Sequence, residues 1–251
     1  MCSFLLPAGP CDVAVNVPDM AALETEVSRR LAEGEGFALA TLNLDHVVKL
    51  RRDASFREAY ARHELVTADG NPIVWLSRMA GHGVALIPGS DLILPLCRLA
   101  AVAGAPVALL GATETALRGA SRRLKEEVPG LEVAARVAPP MGFDPEGHAA
   151  EAALQEVAEA GARLVFLALG APKQERLAAR GRRLHPGLGF VSIGAGLDFL
   201  AGTQRRAPEF VRELALEWLW RMVNDPRRLA RRYVDSAAVL PGLVWRVRRQ
   251  A

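Results

Sequence analysis

Cysteine is scarce in this chain. Cys2, Cys11 and Cys97 are odd in number and show no C-x-x-C spacing, which excludes a disulfide framework and a thiolate zinc site and points to a reducing, cytosolic compartment. The N-terminus has apolar residues at 4–6 but no basic segment before them and too short an apolar run for a secretory signal. Long hydrophobic runs are also missing. The most apolar window, 92–111, approaches membrane-span length, yet Pro95, Arg98 and Pro106 interrupt it, so it reads as a helix, a turn and a buried strand. No G-x-x-x-x-G-K-[ST] loop occurs, the first strand-to-helix turn lacks G-x-G-x-x-G, and Gly194-Ala195-Gly196 is only a fragment of that fingerprint. A G-x-S-x-G elbow is absent, which argues against a serine hydrolase of the usual α/β kind. His46, His63, His82, His148 and His185 are scattered without H-x-x-H spacing, and there is no D-x-D, so no catalytic metal is expected.

What is present is ample material for a core. With 251 residues, 51% hydrophobic and 24% charged, the chain has the size of one large domain or of one domain and an appendage. The formal net charge of +3 conceals an asymmetry, because the stretch from Arg205 onward holds eleven Arg against five acids, while the part before it is slightly acidic. A tail of that kind is attracted to phosphate on a lipid surface, a nucleic acid or a nucleotide, and the body is not.

Along the chain, apolar strands alternate with amphipathic helices. Residues 12–17 alternate as a strand, and Leu23, Val27 and Leu31 mark the helix of a first βα unit. Further strands are predicted at 37–42, 65–68, 106–110, 131–137, 164–169 and 188–193, with helices between them, including 72–79, 114–128, 146–160 and 173–184. This order implies a mostly parallel sheet covered on both faces, of Rossmann-like kind. From Pro208 the pattern is helical only: one helix over 208–223, and a second from Pro226 toward Pro241 carrying Leu229, Tyr233, Ala237 and Leu240 beside Arg227, Arg228, Arg231 and Arg232. Basic and apolar stripes side by side suit a membrane surface, and equally a helix packed on the body with a solvated arginine face.

Polar clusters gather at predicted strand ends: Thr41 and Asn43, Asp69, residues 170–175, and residues 194–198. In open α/β sheets that edge collects ligands. Asp69 ends a strand before Gly70, and Asn71-Pro72 reads as an N-cap followed by Pro at the first helical position. On its own chemistry Asp69-Gly70 reads first as a turn, with a catalytic carboxylate as the alternative. In Gly170-Ala171-Pro172-Lys173-Gln174-Glu175 the helix start favours an anion and Gln174 suits a sugar or base, whereas Lys173 and Glu175 read as ordinary first-turn surface residues.

Thr41-Leu42-Asn43, Thr67-Ala68-Asp69-Gly70, Gly89-Ser90-Asp91-Leu92, Gly170 to Glu175, Gly194 to Gly202 with Arg206-Ala207-Pro208, and Leu216-Glu217-Trp218-Leu219-Trp220-Arg221 follow one another in an order that resembles the WecG/TagA/CpsF family of bacterial glycosyltransferases over nearly the whole chain. The resemblance implies an inverting, metal-independent enzyme without a cofactor. It would move a sugar, typically N-acetylmannosamine, from a UDP-sugar to an undecaprenyl-diphosphate-linked acceptor sugar in cell-surface polysaccharide or teichoic acid synthesis. By motif, Asp69 matches the family's proposed base, and Thr41, Asn43, Gln174 and Asp198 match its active-site pocket. Arg221, Arg228 and Arg231 match arginines of a C-terminal appendage that closes over the nucleotide diphosphate. The organisation expected is a catalytic domain over 1–204 and a basic helical appendage over 205–251, peripheral on the inner face of the cell membrane through that tail, with no nucleic-acid partner; a homo-oligomer is compatible with it. One departure concerns the donor: where many members have a basic residue three places before the glycine of G-S-D, this chain has Leu86. The competing readings are a nucleotide-dependent oxidoreductase or methyltransferase on the same fold, and a non-catalytic membrane-binding module.

Overall fold

A computed structural model describes residues 3–203 and 226–250, with side chains in the latter stretch at 233–249. Its centre is a six-stranded, wholly parallel sheet. The strands are β3 (Phe37–Leu42), β4 (Leu65–Ala68), β5 (Val107–Gly111), β6 (Val133–Val137), β7 (Leu164–Ala168) and β8 (Gly189–Ser192), in the order β4-β3-β8-β7-β5-β6. Every residue of β3, β4, β5, β7 and β8 is buried, as expected of strands covered on both faces. The alternation of side chains along β3 serves two cores at once: Phe37 and Leu39 join one, Ala38, Ala40 and Leu42 the other face.

The first core packs helices α1 (Met20–Glu33), α5 (Ile93–Val102) and α6 (Glu114–Glu127) on one face through residues such as Leu23, Val27, Leu96, Leu117 and Leu124. On the other face, α7 (His148–Glu159) and α8 (Lys173–Leu184) cover β5, β7 and β8. Small residues let α8 lie close to the sheet: a Cβ added at Gly181 would stand 2.4 Å from Cζ of Phe190. The β4 edge is covered by α2 (Leu44–Arg52), α3 (Ala54–Tyr60), α4 (Asn71–Met79) and the C-terminal helix, which join one cluster with Phe4, Val15, Leu243 and Val247.

The structure redraws several expected elements. Residues 13–15 do form a strand, β2 (Val13–Val15), but it pairs antiparallel with β1 (Phe4–Leu6) in a separate two-stranded sheet, so it is not the first strand of the parallel sheet. The short apolar stub at the N-terminus is thus structural, with Phe4 and Leu6 in the core. Asn71 is the first residue of α4, whose N-cap is Gly70 with φ +111°, so the expected asparagine cap is not made. Ser90-Asp91, which with Leu92 onward reads as the opening of one helix, lies instead in a one-turn 3-10 helix, Gly89–Asp91, ahead of α5. The helix over 208–223 lies outside the described residues. The last helix, α10 (Pro226–Gln250), runs through Pro241 instead of ending there. Proline removes one helical hydrogen bond, and Pro241 lies exposed while Leu243 and Val247 anchor the turns after it.

Candidate active site

The loops after β4, β3, β8 and β7, four neighbouring strands, carry the polar clusters, so parallel topology gathers them at one edge. Asn43 links the first two. It is the N-cap of α2, its Oδ1 accepting the His46 backbone N–H at 3.0 Å, and the cap fixes the other end of the amide: Nδ2 donates to Oδ2 of Asp69 at 3.2 Å. The Asp69 backbone N–H in turn donates to the Leu42 carbonyl at 2.8 Å, an extension of the β3–β4 pairing that seats the acid at the carboxyl end. Thr41 lies within β3, opposite Thr67 of β4, and is buried.

Gln174 closes the other half. Its Oε1 accepts the Gly194 backbone N–H at 3.0 Å, holding the turn after β8, and its Nε2 donates to Oε1 of Glu175 at 2.8 Å. Asp198, on the short helix α9 (Gly196–Leu200), is held by its own loop, accepting from the Thr203 hydroxyl at 3.2 Å. Among the described residues no hydrogen bond joins it to Asn43, Asp69 or Gln174. The Ala171–Pro172 peptide before α8 is cis, and Lys49 of α2 donates to the Ala171 carbonyl at 3.0 Å while pairing with Asp45. Helices α4 and α8 both begin at this edge without a side-chain cap; Pro72 has no N–H, and the Ile73 and Gln174 N–H groups donate to the Gly70 and Gly170 carbonyls, so what these starts offer an anion is chiefly the positive end of the helix dipole.

Residues 10–251 match the model of the glycosyl transferase WecG/TagA/CpsF family. The chain belongs to that family. It is similar to an N-acetylglucosaminyldiphosphoundecaprenol N-acetyl-beta-D-mannosaminyltransferase of Bacillus subtilis (strain 168), with 26% identity over 199 residues, which are 78% of this chain and 75% of the relative. The protein is therefore a glycosyltransferase, and the edge just described is its candidate active site.

For a glycosyltransferase, three groups beneath this edge were hidden in the sequence. Glu175, read as a surface residue, is 0% exposed, and its Oε2 has no hydrogen-bond partner among the described residues. Burial pushes its pKa up to about 7, against the hydrogen bond from Gln174 and the charge of Lys49, which lower it. His46 is buried, its Nδ1 lies 3.1 Å from the Tyr60 hydroxyl and its Nε2 3.9 Å from Glu175 Oε1. The Tyr60 pKa is raised well above its ordinary value, first by burial and then by the negative charges of Glu175 and Asp69, so the phenol stays protonated. A signal did exist: Ala178, Ala179 and Gly181 mark a helix face in close approach, and Gln174 and Glu175 lie one turn earlier on that face. Leu86 is placed at the rim, bridged in parallel to Ala68 beside the Asp69 turn and 42% exposed. Arg221 lies outside the described residues. Arg228 and Arg231 fall on the first turns of α10, where side chains are not described.

Proposed function

We propose that this glycosyltransferase moves N-acetylmannosamine from a UDP-sugar to an N-acetylglucosamine carried on undecaprenyl diphosphate, with inversion, without a metal or other cofactor, and with Asp69 as the base. The observation that carries the reading is the Asn43–Asp69 contact at the carboxyl edge of the sheet, in a chain of this family. A carboxylate within hydrogen-bond reach of the acceptor hydroxyl takes its proton as the hydroxyl oxygen attacks the anomeric carbon. The new C–O bond forms as the bond to the UDP oxygen breaks, and one in-line displacement inverts the centre. Base catalysis of this kind is worth roughly 10²–10⁴-fold. The departing diphosphate gains negative charge, which the uncapped starts of α4 and α8 favour. Arg221, Arg228 and Arg231 supply guanidinium forks to the same diphosphate in this reading, which makes the tail part of the site as well as its membrane contact.

No described helix is long and apolar enough to cross a membrane. The reading has the enzyme meet its lipid-linked acceptor from the cytoplasmic surface, through the arginine-rich tail on anionic lipid. The test is product mass spectrometry with UDP-N-acetylmannosamine and a lipid-diphosphate-linked N-acetylglucosamine, with and without chelator, followed by assignment of the product anomer. Asp69→Asn is expected to bind UDP and to lose turnover. Transfer that requires added divalent metal, a retained anomer, or full turnover by Asp69→Asn would each contradict one named part of the proposal.

A further inference from the structure

The two halves of the pocket are built on different elements: Asn43 and Asp69 on the β3 and β4 ends, Gln174 and Gly194 on the β7 and β8 ends. Glu175 stands between them, beside the Lys49 hydrogen bond to the Ala171 carbonyl. Glu175 Oε1 accepts from Gln174 Nε2 at 2.8 Å and faces His46 Nε2 at 3.9 Å, and the His46 backbone N–H is the one capped by Asn43. When protonated Tyr60 donates to His46 Nδ1, the ring proton is left on Nε2, on the side of the carboxylate 3.9 Å away. Lys49 and Asp45 of α2 are the charged groups on the same side. Glu175 is fully buried and so cannot touch sugar or diphosphate.

We propose that Glu175 is the positioning residue of the pocket, its Oε1 fixing the orientation of the Gln174 amide, and with it the Gly194 turn, relative to the His46–Asn43–Asp69 side. Gln174 is 2% exposed, and its amide has one arrangement in which the oxygen meets the Gly194 N–H and the nitrogen meets an acceptor. Without that acceptor a buried NH₂ is left unpaired, and the amide turns to find another partner. Gly194 then loses its tether, and a displacement of about 1 Å in a reacting pocket is worth up to roughly 10²-fold in rate.

The inference rests on the transferase reading of this edge, and two variants separate reach from charge. Glu175→Gln keeps an oxygen at the Oε1 position and loses the charge; Glu175→Asp keeps the charge and is one methylene too short to meet Gln174 Nε2. Two readouts are made on the full chain: turnover with the donor and lipid-linked acceptor, and hydrogen exchange of the Gly194 amide, which needs no activity. Glu175→Gln is expected to keep kcat within about fivefold of the parent and to keep Gly194 protected, while Glu175→Asp loses about 10²-fold in kcat and exchanges Gly194 at least about tenfold faster, a change of about 1.4 kcal/mol in opening. Combining Glu175→Asp with Gln174→Ala is expected to cost no more than Gln174→Ala alone, because the two act as one unit. Equal or better performance by Glu175→Asp than by Glu175→Gln, in exchange or in turnover, would overturn the proposal. A parent that transfers no sugar while the exchange pattern holds would instead refute the transferase reading and leave the positioning role standing.

Discussion

Asn43 does two jobs with one amide, and Asn43→Asp separates them. The Oδ1 cap on His46 N–H survives, because Asp and Asn cap helices about equally well, so α2 should start where it does now. The Nδ2 donor does not survive. In its place a second carboxylate stands about where the amide nitrogen met Asp69, at 3.2 Å. Two like unit charges at that distance repel by about 1 kcal/mol if screened as in water and about 5 kcal/mol at an effective dielectric near 20. That corresponds to roughly one to four pH units in the ionisation of the pair, and at the upper end, which a partly buried pair approaches, one carboxyl holds a proton at neutrality. The expected result is a loss of roughly 10²-fold or more in kcat near neutral pH, with the acid limb of the pH–rate profile moved up by at least about one unit and rate partly recovered on the alkaline side. Asn43→Ala is the control, losing the cap at about 1 kcal/mol without adding a charge. Steady-state rates over a pH series, with melting curves for each variant, decide the matter. If Asn43→Asp turned over like the parent with an unmoved acid limb, Asp69 would not be the group that takes the proton, and the contact would be only a turn.

Glu175 should leave a mark on stability as well as on rate. Its pKa is raised from 4.5 to about 7 by burial, so the stability it contributes is complete below 4.5 and is lost as pH rises through 7, on the order of 3 kcal/mol. Melting of Glu175→Gln should therefore fall less than the parent's between about pH 5 and about pH 8, by on the order of 5–10 °C; parallel curves would refute the assignment. His63, which burial pulls from 6.5 to about 4, acts in the opposite sense in both proteins, its contribution being lost as pH falls through 4, and so cancels in the difference. Gly181→Ala places a methyl 2.4 Å from the Phe190 ring and should destabilise by about 1–3 kcal/mol while pushing α8, and Gln174 with it, off the sheet; an unchanged melting temperature would show that α8 yields freely. Leu86→Arg puts a guanidinium at the exposed rim beside the Asp69 turn and should tighten UDP binding by about two- to fivefold, the worth of an exposed charge pair, measured by calorimetry at low and high salt. Weaker binding would place the diphosphate elsewhere.

Much of the fold was legible because its signals are local. Helix periods, glycine stops and short apolar runs specify elements, and α8 was readable to the residue, Lys173–Leu184. Strand-end polar residues were legible for the same reason, since in a parallel sheet every strand's carboxyl end falls on one edge. Local pattern failed where partners decide. The alternation at 12–17 is that of any half-buried strand, and only its antiparallel pairing with Phe4–Leu6 removes it from the main sheet. Asn71-Pro72 carries a cap signal, but Gly70, free to take a positive φ, claims the cap position instead.

By itself, then, the sequence determined a parallel α/β body, a basic C-terminal helix from Pro226, and a set of candidate side chains at strand ends, Asp69 among them, because propensity, periodicity and charge are written residue by residue. The order of the strands, and with it the meeting of Asn43 with Asp69 across the β3 and β4 ends, was decided by tertiary structure, since pairing between distant segments leaves no period to read. The same holds for Glu175. A glutamate in a first helical turn is ordinarily solvated, and only the packing of α8 against α2, α3 and the sheet removes its water and turns it into the buried link between the two halves of the site.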